Sequence, residues 1–314
     1  KERIQTLRAW MKQTGIEAFI IPSTDPHLSE YVAPHWQSRE WISGFTGSAG
    51  TVVVTENEAG LWTDSRYFLQ AAQQLEGTGI DLYKEMLPET PSIPAFLSEQ
   101  LKKGQSVGID GKVFATDAAR SLQKELENNG ITLKCTADPM EQIWDGRPEM
   151  PQAPAFIHDT KYAGRTCAEK LETIRAEMKK AKADSLLLSA LDEIAWTLNL
   201  RGSDVHCNPV VVSYLLIGEN EAHYFINSQK VTPEVAAHLH EAGVSLHTYQ
   251  EIESYLAQLP AENLMLEPGK TNYAVRSAIP QQCRVIEAPS PVALLKAVRN
   301  EQEVAGLRQA MQRD

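Results

Sequence analysis

Apolar positions Ile4, Leu7 and Met11 recur at helical spacing, and Gly15 follows where a left-handed C-cap would stand. An unbroken apolar run, residues 18–21, then reads as a buried strand. The same order returns near residue 170, with Leu171, Ile174 and Met178 followed by Leu186, Leu187 and Leu188. Further echoes keep the sequence order. WISGFTG (41–47) aligns with WTLNLRG (196–202), ENEAGLWTDSR (56–66) with ENEAHYFINSQ (219–229), and IDGKVFATDAARSL (109–122) with LEPGKTNYAVRSAI. Four matches in one order, with small drifts in offset, indicate a duplication. In each copy a helix–strand start, a central β-hairpin and later strand–helix alternation predict an α/β domain, a mixed β-sheet flanked by helices.

Pro148, Pro151 and Pro154 with Gly146 mark the break between the copies. The expected divisions are 1–155, 156–292, and a linking segment 293–314. In that last segment Asn300 and Glu303 form a capping box, and Val304, Leu307 and Met311 continue at helical spacing. No Gly, Asn or Pro stop follows, so the chain is expected to be cut from a longer one.

Composition narrows the function classes. A net charge of -11 with no basic stripe argues against nucleic acid as a partner. The four cysteines are far apart and form no C-x-x-C pair, which speaks against a zinc knuckle or a disulfide framework and fits a cytoplasmic protein. No apolar run reaches the ~18 residues of a membrane span, so no membrane partner is expected.

GFTGSAGTVVV (44–54), with Gly44, Gly47 and Gly50 three apart, invites a phosphate-loop reading. The spacing matches neither the Walker loop nor the dinucleotide fingerprint. Its order is loop then strand, whereas phosphate loops lead into a helix N-terminus. A tight, glycine-permitted crossing into a central strand is the better account. In WTDSRY (62–67), Asp64 and Ser65 suit a helix N-cap, while Arg66 could cap or could bind a carboxylate or a neighbouring subunit. RGSDVHCNPV gathers Asp204, His206, Cys207 and Asn208, without the three or more ligands in defined geometry that a hydrolytic metal site needs. An ordered polar loop turning at Asn208-Pro209 competes with that reading. His238 and His240, two apart on a helix, point about 200° apart and cannot share a metal.

HWQSREWISGFTGSAGTVVV with LWTDSRYF, LDEIAWTLNLRGSDVHCNPVVVSY and LKAVRNEQEVAGLRQA together resemble the Xaa-Pro aminopeptidases of the three-domain P type, within the creatinase/prolidase superfamily, over essentially the whole chain. The resemblance implies two tandem creatinase N-terminal-like domains, followed in the family by a "pita-bread" catalytic domain. That domain holds two metal ions, usually manganese, on two Asp, one His and two Glu, and a metal-bridging hydroxide attacks the bond before proline. None of those ligands has a counterpart here. The chain is therefore expected to be the non-catalytic N-terminal part, with no metal or other cofactor of its own and no hydrolysis by itself. Its expected partners are its own catalytic domain and, in the parent enzyme, short proline-containing peptides. A homodimeric parent and a monomeric fragment are expected. Arg66, Asp204 and His206 are expected at the substrate entrance or an interface, and Gly44, Gly47, Gly50 and Asp64 as structural signature positions. The alternative is a free-standing module that binds peptides or acts as a scaffold.

Overall fold

A computed structural model describes residues 1–313. The chain folds as two compact units, Lys1–Met150 and, apart from Asn272–Ala274, Pro151 onward.

In the first unit the helix Glu2–Thr14 ends on Gly15, left-handed at φ 67°. Strands β1 (Ala18–Ile21), β2 (Thr51–Thr55), β3 (Ala59–Thr63), β4 (Asp81–Lys84), β5 (Ser106–Asp110) and β6 (Thr132–Thr136) follow. They form one sheet in the order β4-β3-β2-β1-β5-β6. Strand β2 lies antiparallel between β1 and β3, and the outer pairings β3–β4, β1–β5 and β5–β6 are parallel.

The second unit adds a short pair, β7 (Phe156–Ile157) and β9 (Leu200–Arg201). Its main strands are β8 (Ser185–Leu188), β10 (Ser213–Gly218), β11 (Ala222–Ile226), β12 (Val244–Thr248), β13 (Asn263–Leu266) and β14 (Arg284–Glu287), ordered β12-β11-β10-β8-β13-β14. Read strand for strand, order and direction repeat the first sheet. The duplication legible in the sequence is a duplication of topology.

Side-chain alternation explains why the strands read as continuous apolar runs. Phe19, Ile21, Val52 and Val54 enter one core cluster, whereas Ala18, Ile20 and Val53 enter the cluster on the other face. A sheet covered by helices on both faces needs apolar residues at every position. The hairpins close alike, Thr55 N–H on the Glu58 carbonyl and Gly218 N–H on the Glu221 carbonyl, both at 2.8 Å.

The helices Ser38–Ser43 and Leu191–Leu198 also end alike. Gly44 (φ 78°) caps the first and Asn199 (φ 51°) the second, both left-handed. The two residue types that most readily adopt that conformation occupy the equivalent positions. The helix Pro291–Ala297 runs across the boundary expected at 292 and buries Val292 in the second unit's core.

Candidate functional site

The 44–50 loop is organised by a residue outside the glycine motif. Arg39 lies buried on the helix Ser38–Ser43, and its guanidinium donates to the carbonyls of Phe45 and Gly47 and, at 2.8 Å, to Ser23 Oγ. Ser23 Oγ in turn donates to the Gly50 carbonyl at 2.6 Å, and Thr63 Oγ1 to the Ala49 carbonyl at 2.7 Å. The Phe45 N–H is taken by Ser43 Oγ and the Thr46 N–H by Gln74 Oε1. An anion cradle presents free N–H groups to its ligand. This loop turns its carbonyls inward onto a cation instead. Burial pushes the Arg39 pKa down to about 10, which leaves it charged at neutral pH.

Gly47 is required by close approach. A Cβ there would lie 2.2 Å from Phe45 Cζ and 2.8 Å from Tyr67 Cδ1. At Gly50 it would crowd Leu61 and the Trp62 carbonyl at 3.2 Å. The glycines bring the chain against the Phe45 and Tyr67 rings, which meet edge to face, rather than against a ligand.

Asp64 caps the 3-10 turn Ser65–Tyr67 by accepting from the Arg66 N–H at 3.0 Å. The Arg66 side chain folds back onto the same carboxylate, Nε at 2.9 Å and Nη2 at 2.7 Å, and this holds the Asp64 pKa below the usual carboxylate range. Arg66 remains 65% exposed at its side chain. Capping and exposure thus coexist, and the Nη1 side of the guanidinium, which Asp64 does not engage, is open to a partner carboxylate. In the second unit Asn227 caps the equivalent turn through the Gln229 N–H.

Asp204 and His206 part company. The Asp204 carboxylate is sealed inside the second unit, where Oδ2 accepts from the Val212 N–H at 2.7 Å and from the buried Lys230 ammonium. The Asp204 side chain is therefore not exposed: its loop folds inward to neutralise Lys230. His206 and Cys207 form the exposed tip of a tight turn with Cys207 at φ 57°, bridged by Val205 and Asn208. The turn is therefore centred on 206–207 and not on Asn208-Pro209.

Two further buried ionisable groups carry shifts. Lys170 donates to the Trp196 carbonyl at 2.8 Å and to Asn199 Oδ1 at 2.6 Å, and burial pulls its pKa down to about 8. It holds the left-handed Asn199 in place. Its position between Cys167 and Leu171, on the face that carries Ile174, was the available signal. Asp110, at the end of β5, is pushed up to about 7 by burial and then by Asp138, which is paired with Arg147 at 2.6 Å. The cavity beside it measures about 20 Å³, room for a water and not for a peptide.

The Asp110 shift predicts a pH dependence. Between roughly pH 4 and 7 the folded unit keeps a proton that the unfolded chain has lost, so stability falls as pH rises through that window. An Asp110→Asn chain is expected to lose this slope in urea midpoints measured from pH 4 to 8. An unchanged slope would assign it to other groups.

Among the described residues no group of three or more His, Cys, Asp or Glu side chains is arranged to hold a metal ion, and no helix is long and apolar enough to cross a membrane.

Comparison with known proteins accounts for both units. Residues 3–143 and 146–303 each match a model described as the creatinase/prolidase N-terminal domain. The chain belongs to the creatinase/prolidase N-terminal domain family. Within it, the chain is 36% identical over 348 residues to Aminopeptidase P2 of Arabidopsis thaliana, covering 100% of this chain and 49% of that protein. It is 35% identical to Xaa-Pro aminopeptidase app-1 of Caenorhabditis elegans, covering 95% of this chain and 49% of that one. The crystal structure of X-prolyl aminopeptidase from C. elegans, described as a cytosolic enzyme with a di-nuclear active site, superposes with a TM-score of 0.92 at 32% identity. That match covers 98% of this chain and 53% of the other. The chain spans about half the length of the curated relatives it matches.

Proposed function

We propose that this chain is the non-catalytic N-terminal half of a cytoplasmic Xaa-Pro aminopeptidase, with its two domains walling the entrance to an active site borne by the rest of a longer protein. The observation that carries the reading is coverage: the full chain aligns with 49% of Aminopeptidase P2, and both units match N-terminal domain models. In this reading two manganese ions and their ligands lie in the other half. Bound water becomes a nucleophile at neutral pH only when cations lower its pKa, so the reaction belongs to the half that holds them.

Divisions at 155 and 292, with 293–314 leading into the catalytic half, form part of the proposal. Arg66 and His206, both exposed, are the entrance or interface positions. Docking of a further body is favoured by the last two helices, which leave Leu294, Val298, Leu307 and Met311 exposed. No side chain of the helix Glu301–Met311 is fully buried. In this reading the longer protein assembles as a homodimer and the 314-residue chain is monomeric.

The purified chain is expected to contain no stoichiometric manganese and to leave a short Xaa-Pro peptide intact. Two tightly bound manganese ions, or turnover that survives repurification, would overturn the proposal. In the longer protein, an Arg66→Ala variant with unchanged kinetics and oligomeric state would remove Arg66 from the entrance.

A further inference from the structure

Strands β11 and β12 run parallel at one edge of the second unit's sheet, with His223 opposite Ser245 and Phe225 opposite His247. Alternate strand residues share a face, so His223 and His247 stand as diagonal neighbours on the same side. Their rings meet: His223 Nδ1 lies 3.0 Å from His247 Nε2. Behind His223, its other nitrogen is 3.0 Å from Tyr255 Oη and 3.4 Å from a Glu221 carboxylate oxygen. The His247 ring is stacked on Phe225 and bordered by Tyr255. Packing on both sides holds the two imidazoles in place.

Two imidazoles at this separation share one proton. With each ring's proton on its far nitrogen instead, both facing nitrogens carry a lone pair, and an ion beside the line between them meets both once the rings turn slightly. We propose that His223 Nδ1 and His247 Nε2 form a chelate for a borderline divalent transition ion (Zn2+, Ni2+ or Cu2+), with His223 braced from behind by Glu221 and Tyr255.

Metal–imidazole bonds of about 2.0–2.1 Å spanning a 3.0 Å separation subtend about 95° at the ion, suited to adjacent positions in square-planar or octahedral coordination. Opening the pair by about 0.3 Å reaches the tetrahedral angle. A carboxylate on the far nitrogen of a ligating histidine fixes its tautomer and raises its basicity, the part Glu221 is placed to play. Two protein donors leave the remaining positions to water, so binding is reversible and weaker than at a closed four-ligand site. Manganese prefers oxygen donors, which separates this pair from the manganese chemistry proposed for the other half.

The test is calorimetric titration of the metal-free 314-residue chain with Zn2+ and Ni2+ at pH 7.5. One saturable site is expected. His247→Gln should weaken binding tenfold or more, and Glu221→Gln by about tenfold, the scale of a carboxylate brace. A His206→Gln/Cys207→Ser chain, which removes a pair of exposed adjacent donors elsewhere in the unit, should bind as before. Absence of saturable binding overturns the proposal, as does binding that survives in a folded His223→Gln/His247→Gln chain or disappears with His206 and Cys207. Electron paramagnetic resonance of one equivalent of Cu2+ on the unaltered chain gives a readout independent of variant folding. Couplings to two imidazole nitrogens are expected, and one or none would refute the chelate.

Discussion

Replacing Lys230 by alanine is expected to destabilise the second unit by about 3–5 kcal/mol, the usual cost of stranding one member of a buried ion pair. The Lys230 side chain is 1% exposed and that of Asp204 is 0% exposed. Asp204 Oδ2 takes both the ammonium and the Val212 N–H, while Oδ1 has no partner among the described residues. Removing the ammonium leaves a carboxylate without its counter-charge and without water. Burial already pulls the Lys230 pKa down, and Asp204 is what holds it up, so the pair is interdependent. A double replacement, Asp204→Asn with Lys230→Met, retains an acceptor for Val212 and removes both charges. It should recover most of the loss. Equilibrium urea denaturation at pH 7 measures both, through the midpoint at constant slope. A single-variant loss below about 1 kcal/mol would mean that water reaches the pair, as at an exposed salt bridge.

The second large effect is expected at Arg39. Arg39→Met removes the donor to two loop carbonyls and to Ser23, and each buried acceptor left bare costs about 1–3 kcal/mol. A total on the order of 3 kcal/mol is expected, with a local signature. Amide exchange and proteolysis should increase within 44–50 before the rest of the first unit responds. Arg39→Lys should rescue only part of the loss, because a single ammonium cannot span three acceptors held by a planar fork. Exchange rates in the loop that match the unaltered chain would show that the glycine turn holds itself together.

Much of the architecture was legible in the residues. The helix 2–14 with its Gly15 cap, the strand 18–21, the hairpin at 51–63 and its counterpart at 213–226 all follow from spacing and turn chemistry. The capping box at Asn300 was visible for the same reason: its donors and acceptors lie within three residues of one another. Local rules reach that far. The fate of charged residues was not legible, since Asp204 and Lys230 are 26 positions apart and nothing nearby in the chain announces their pairing. Asp204 and His206 looked like one polar cluster, yet the fold buried the first and exposed the second.

The sequence by itself determined the duplication, the α/β class and the membership of the chain in its family, because these rest on periodicity and on recurring phrases that are local or repeated. Only the tertiary structure decided what the conspicuous residues do. It gave the tight crossing at Gly47 its cause, two aromatic rings that leave no room for a Cβ. It made Arg39 the cation that the loop closes around, and it brought His223 and His247 within hydrogen-bond distance on neighbouring strands. The physical reason is common to all three. Burial, desolvation and hydrogen-bond partnership depend on which distant segments share a face of the sheet, and strand order sets that rather than the spacing of residues along the chain.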